Sequence, residues 1–158
     1  VGVMALRECA RRGIITPSWS LTGIGATTHY TIDIAPEIKL YGLPKAPLTQ
    51  YQGMIANYSL GLSLMAAPHP GVVHFEWAAS GLRTVVNTTP ERPAEFFAGF
   101  SPNLIPAEPS VGGIADAIAL AAQPQPCAGP TAFDSIPHPR SWNDAFDGAF
   151  FRKLFEML

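Results

Sequence analysis

The residues best placed to do chemistry lie close together: His69, Gly71, Val72, His74 and Glu76, in the run His69-Pro70-Gly71-Val72-Val73-His74-Phe75-Glu76-Trp77-Ala78-Ala79-Ser80-Gly81. A carboxylate only accepts hydrogen bonds, so Glu76 can take both hydrogens of a vicinal diol such as that of a ribose. In the dinucleotide-binding fold an acid serves the ribose in this way, though from a different position. The plainer reading is a solvated helix acid. Against it, Phe75, Trp77, Ala78 and Ala79 are all buryable, which leaves Glu76 an isolated acid on a largely inward-facing helix. Such a placement costs desolvation unless a partner is present.

Gly71 and Val72 stand where that helix should begin, and the amides at a helix N-terminus carry partial positive charge that suits a phosphate. His69 and His74 fit three roles: neutral donors to a pyrophosphate, members with Glu76 of an H-x4-H-x-E metal cluster, or plain structural histidines. The spacing is not the helical i, i+4 pair of zinc peptidases, and no cysteine lies near. Gly23-Ile24-Gly25 is half of a glycine fingerprint, read first as a tight turn and second as a ligand-facing one. No nucleophile elbow, phosphate loop or Ser/His/Asp spacing stands out.

The elements that must position these residues follow from hydrophobic pattern and punctuation. A helix runs from Val3 to Arg12 and closes at Gly13. A strand from Trp19 ends in the Gly23-to-Thr27 turn, residues 26–36 read as a loop or small amphipathic element, and Ile38 to Gly42 is a second strand before a Leu43-Pro44-Lys45 turn. Leu48, Tyr51, Ile55 and Tyr58 recur at helical spacing, and Leu60 to Met65 is an apolar strand of the kind covered on both faces. After the Glu76 helix come a strand from Arg83 to Asn87, a proline-opened helix from Pro90 to Phe100 and a short strand from Asn103 to Pro106. Ser110 caps a helix whose apolar face is Val111, Ile114, Ala115, Ile118 and Ala119. Gln123 to Arg140 is a Pro-, Gly- and Ala-rich crossing segment, and Trp142 to Leu158 is an aromatic helix striped by Phe146, Phe150, Leu154 and Met157.

Strands alternating with helices predict an α/β, Rossmann-like, doubly wound parallel sheet, with ligands bound outside the carboxyl ends of the strands. The chain has 158 residues, is 47% hydrophobic and 14% charged, and carries a net charge of −2. That fits one well-buried domain and gives no field to attract nucleic acid. No apolar run is long enough for a membrane span. Cys9 and Cys127 have no framework spacing, which suits a reducing compartment.

In order and content the parts resemble the carboxyl-terminal domain of glycosyltransferases built from two Rossmann-like halves, the GT-B architecture. The marks are Leu21-Thr22-Gly23-Ile24-Gly25, Ile38-Lys39-Leu40-Tyr41-Gly42, Tyr51 through Leu64, Pro68-His69-Pro70, the Glu76 helix and Val85-Val86-Asn87-Thr88. More narrowly, Leu62-Ser63-Leu64-Met65 to Pro70, with Ser101-Pro102-Asn103-Leu104-Ile105, is similar to bacterial rhamnosyltransferases of surface-polysaccharide synthesis. The resemblance implies that Glu76 binds the nucleotide ribose, and that Gly71 and Val72 receive the diphosphate. It implies that His69 lies near the diphosphate or donor sugar, and that the loop at Leu43 meets the base; Gly23 joins them as a ligand-facing glycine. Many retaining members carry a Glu-x7-Glu pair, and here the first acid falls at Pro68. That departure points to an inverting transfer.

The expectation is therefore a donor-binding domain over residues 1–122, its first strand missing ahead of Val1, and a crossing segment and helix over residues 123–158. The implied reaction is glycosyl transfer from a dTDP- or UDP-sugar, with dTDP-rhamnose the narrow choice, and with no metal and no cofactor. The glycan acceptor and the base belong to an amino-terminal domain, in a cytoplasmic enzyme with room for peripheral contact with the membrane. The alternative is a non-catalytic, flavodoxin-like regulatory or interaction module.

Overall fold

The structure, a computed structural model, describes residues 1–66, 71–124, 141–145 and 147–156. Helix α1 (Gly2–Arg11) leads to strands β1 (Leu21–Ala26), β2 (Tyr30–Ala35) and β3 (Ile38–Pro44). Helix α2 (Leu48–Ile55), strand β4 (Leu60–Ser63), helix α3 (Val73–Ala79), strand β5 (Arg83–Asn87), helix α4 (Ala94–Ala98), strand β6 (Leu104–Ala107) and helix α5 (Val111–Ala122) follow. Two further helices are α6 (Trp142–Ala145) and α7 (Gly148–Glu156).

The strands form two three-stranded sheets, in the orders β1-β3-β2 and β4-β5-β6. The second is wholly parallel, as expected of strands joined through helices. In the first, β1 pairs with β3 in parallel and β2 pairs with β3 antiparallel. The single parallel sheet expected from the sequence is thus corrected to two. Of the two readings of residues 26–36, a loop or a small amphipathic element, the loop is corrected, because most of the segment is β2. Its alternation Tyr30-Thr31-Ile32-Asp33-Ile34-Ala35 carries Ile34 into the core and Asp33 out to Lys39, 2.9 Å away.

Neighbouring residues of the parallel strands feed opposite faces, as a pleat requires. Val85 and Ile105 join Ala5, Cys9, Ile114 and Ile118 in one core, built on α1 and α5. Val86 and Leu104 join Ala78 and Phe97 in a second core, beneath α3 and α4. The Cys9 thiol is buried in the first core, and burial pushes its pKa up to about 11, so it is an inert apolar filler. Cys127 lies outside the described residues.

Helix ends follow their sequence signals. At Gly13 (φ 71°) the amide of Ile14 donates to Cys9 and that of Gly13 to Ala10; at Gly81 (φ 93°) Leu82 donates to Trp77 and Gly81 to Ala78. These paired bonds satisfy the last carbonyls of each helix and need a left-handed residue, which glycine adopts at little cost. Ser110 caps α5 by accepting from the Gly113 amide at 3.0 Å. The helix expected from Pro90 is shorter: Thr89 and Arg92 bridge each other across a turn, and Pro93 opens α4. Helix α2 likewise stops at Ile55, short of Tyr58. The carboxyl-terminal helix is divided into α6 and α7, and Phe151 and Phe155 of α7 are exposed.

Candidate functional site

The β4–α3–β5 unit carries Gly71, Val72 and Glu76 in the connection beyond the carboxyl end of β4 and in the helix that follows. Strand β4 ends at Ser63, and the chain beyond it is held by Asn87 at the end of β5. The Asn87 carboxamide accepts from the Met65 amide at 2.7 Å and donates to the Met65 carbonyl at 2.9 Å. One side chain thus replaces a strand pair for the segment that leads toward α3. Gly71 follows with φ 32°, and a Cβ there would collide with Met65 Sδ. Glycine at this position lets the chain turn tightly under Met65 into the helix.

Helix α3 starts after Val72, and no side chain caps its N-terminus. Its position is fixed from three sides. Asn103 donates to the Ala78 carbonyl at 3.0 Å, Trp77 Nε1 donates to the Tyr51 hydroxyl at 2.7 Å, and Ala78 packs in the core with Val86, Phe97 and Leu104. The buried face of the helix is His74 and Ala78, a helical i, i+4 pair. Glu76 is exposed, which corrects the expectation of an inward-facing acid. Its charge still reaches α2: Tyr51 is pushed up from the ordinary tyrosine range, first by burial and further by Glu76, against the Trp77 hydrogen bond.

His74 is the unusual group of the site. It is 2% exposed, and neither ring nitrogen has a hydrogen-bond partner. Its ring lies against Phe75 (centroids 4.2 Å apart) and edge-on to Phe97 (5.9 Å). Burial, and then the positive Arg92, hold it below the ordinary histidine range, so it is neutral at pH 7. A small cavity beside the ring is bounded by Ser63, Asn87, Thr89 and Glu91. His74 and Glu76 therefore sit on different sides of one short helix and do not point to a common centre. No group of three or more His, Cys, Asp or Glu side chains suited to a metal occurs among the described residues. His69 and Pro68 lie outside the described residues.

The two expected residues of the first sheet are placed differently from the sequence reading. Gly23 is inside β1, paired with Gly42 of β3, and not in a turn. Leu43 is half-buried in β3 opposite Ile24, and not in a loop. Tyr30 explains both glycines: a Cβ on Gly42 would run into its ring, and one on Gly23 would stand 2.8 Å from its hydroxyl. The Gly-x-Gly run is thus the seat of an aromatic ring laid across glycines, a device that restores packing where side chains are missing. The glycine with positive φ is Gly25 (φ 99°), one step before the strand ends.

Asn87, Asn103 and Tyr30 have structural roles that no local sequence signal assigns to them. Asn87 stands in the sequence as the polar residue that ends the Thr84-Val85-Val86 run and as part of the Val85-Val86-Asn87-Thr88 mark, with no sign of a role. Its partner is 22 positions away along the chain, so pairing with Met65 is a tertiary fact.

The family model for the WsaF C-terminal domain matches residues 1–119, which include all six strands and the whole β4–α3–β5 unit. The chain belongs to that family. The WsaF C-terminal domain is a domain of glycosyltransferase-type proteins, so the chain is a glycosyltransferase-related α/β domain with a theme of polysaccharide biosynthesis. A comparison with curated proteins returns no match. No helix among the described residues is long and apolar enough to cross a membrane.

Proposed function

We propose that this domain binds the nucleotide-diphosphate-sugar donor of a glycosyltransferase, at the carboxyl end of β4 and the start of α3. The observation that carries the reading is the family match across the β4–α3–β5 unit, in which an exposed acid stands one turn into a helix that no side chain caps. Glu76 accepts the ribose hydroxyls: both hydrogens of the diol in a UDP-sugar, the single 3′-hydroxyl in a dTDP-sugar. The backbone at Gly71 and Val72, with His69, faces the diphosphate, and the carboxyl end of β3 at Leu43 faces the base. Gly23, beneath Tyr30, shapes the sheet from within β1. The leaving diphosphate is stabilised by amides and the helix end, as charge developing in a transition state requires.

Transfer is inverting and needs no metal on this reading, with Pro68 in place of an acid near the donor sugar. The acceptor glycan and the general base belong to a second domain, and dTDP-rhamnose is the proposed donor. Calorimetric titration of the full-length protein with UDP and dTDP tests the reading. Binding of at least one nucleotide, weakened at least about tenfold by Glu76→Ala, is expected from the loss of a hydrogen bond to a charged group. Binding of neither nucleotide, or equal affinity in the variant, defeats it.

A further inference from the structure

Helices α2 and α3 both begin where ligands of parallel α/β sheets bind, for α2 follows the carboxyl end of β3 and α3 that of β4. Tyr51 closes the first turn of α2, its amide bonded to the Pro47 carbonyl at 2.9 Å, and Glu76 lies in the first turn of α3. Trp77, the residue after Glu76, joins the two helices: its Nε1 donates to the Tyr51 hydroxyl at 2.7 Å. We infer, resting on the donor site proposed above, that the Tyr51 hydroxyl is a second contact to the nucleotide's sugar. It donates a hydrogen bond to the oxygen of the same sugar hydroxyl whose hydrogen Glu76 accepts.

The direction of the Trp77 bond carries this assignment. An indole N–H can only donate, so the Tyr51 oxygen is the acceptor in that pair and its own hydrogen points elsewhere. Among the described residues that hydrogen has no acceptor, and the Glu76 carboxylate has no donor. Burial first, and Glu76 further, hold the phenol above the ordinary tyrosine range against the Trp77 bond. The phenol therefore keeps its proton at pH 7, and the carboxylate is near enough for its charge to act on it. An unused donor and an unused acceptor thus stand on neighbouring helices without bonding each other.

A hydroxyl group satisfies both at once, because it offers a lone pair to Tyr51 and a hydrogen to Glu76. A phosphate would set its negative charge against the carboxylate, and an ammonium would meet the hydrogen of the phenol. The pair is also held in place before any ligand arrives. A Cβ on Gly61 of β4 would stand 2.5 Å from Trp77 Cε3, so the indole is seated against bare backbone there, with its Nε1 turned to Tyr51. A clamp ordered in advance loses little side-chain freedom on binding.

The Trp77–Tyr51 bond also tethers α2 to α3, and a tether alone is indifferent to a sugar hydroxyl. The test is calorimetric titration of the full-length protein and its Tyr51→Phe variant with dTDP and with the 3′-deoxy analogue. The variant should bind dTDP roughly three- to tenfold more weakly, the loss of one hydrogen bond between neutral groups. Its affinity for the analogue, which has no oxygen for Tyr51 to reach, should change less than about twofold, and that binding also shows that the variant folds. In the native protein, the Cζ carbon resonance of Tyr51 should move on adding dTDP and move far less on adding the analogue. Equal weakening of both ligands, dTDP binding unchanged in the variant, or identical movement of the Cζ resonance with the two ligands overturns the inference. A dTDP preference that falls in Glu76→Gln yet persists in Tyr51→Phe defeats the Tyr51 contact alone. A native protein that does not distinguish the two ligands defeats the donor-site reading and the contact with it.

Discussion

Replacing His74 with leucine should make the domain more stable. The ring is 2% exposed and neither nitrogen is bonded, so the native state carries an uncompensated donor and an uncompensated acceptor. Each such group costs about 1–3 kcal/mol. Leucine removes both, but forfeits the contacts with Phe75 and Phe97, which are worth about 0.5–1.5 kcal/mol each beyond area burial. The balance is a gain of about 1–2 kcal/mol, or a rise in Tm of about 2–8 °C for a domain of this size. The pH dependence gives a second reading. The folded pKa of His74 lies below its ordinary value of 6.5, so the unfolded chain binds more protons, and this group's share of stability is complete above 6.5 and declines as pH falls below it. Thermal unfolding at pH 8 and at successive steps below 6.5 checks both effects. Leucine should raise Tm at pH 8 and flatten the decline below 6.5. A destabilisation of more than about 2 kcal/mol at pH 8 would refute the reasoning, because it would mean that the ring nitrogens hold partners that leucine removes.

Other consequences can be measured separately. Asn87→Leu should cost about 2–4 kcal/mol in urea unfolding, because it leaves the Met65 amide and carbonyl unpaired beside a poorly fitting side chain; a change under 0.5 kcal/mol would show that the pin is dispensable. Gly42→Ala should destabilise by about 1–3 kcal/mol through overpacking against Tyr30, and the double variant with Tyr30→Ala should lose most of that penalty. Glu8, held down to about 2 by hydrogen bonds from Arg11 and then Arg12, contributes stability above its ordinary 4.5 that disappears as pH falls toward 2. Glu8→Gln should flatten the acid limb in that window alone, as followed by circular dichroism.

The sequence carried the helix ends and the buried strands well, because those signals are local. Gly13, Gly81 and Ser110 each act within one turn of chain, and Leu60 to Ser63 and Arg83 to Asn87 need only an apolar run between breaks. The missed strand β2 had its alternation in plain view, but Thr27, Thr28 and Asp33 made it look like loop. An antiparallel edge strand is polar on one side for the same reason. Gly23 was misplaced because a glycine pair signals a turn and an aromatic seat equally, and only the register of Tyr30 opposite Gly42 separates them. The orientation of α3 was the hardest to read. Val73, Phe75 and Trp77 are the obvious apolar residues, yet the residues the helix buries most completely are His74 and Ala78. Helical spacing permits either face, and the choice is made by Asn103, Tyr51 and the Phe97 cluster, all distant in sequence.

The central claim, that Glu76 grips the nucleotide sugar ring, is tested most directly by titrating the full-length protein with dTDP and with its 3′-deoxy analogue, and repeating both with Glu76→Gln. The two ligands differ only in the hydroxyl whose hydrogen bond the carboxylate is proposed to accept. The account predicts that the native protein favours dTDP by at least about tenfold and that Glu76→Gln erases most of that preference while the fold is kept. Equal affinity of the native protein for the two ligands, or a preference that survives in Glu76→Gln, would contradict it.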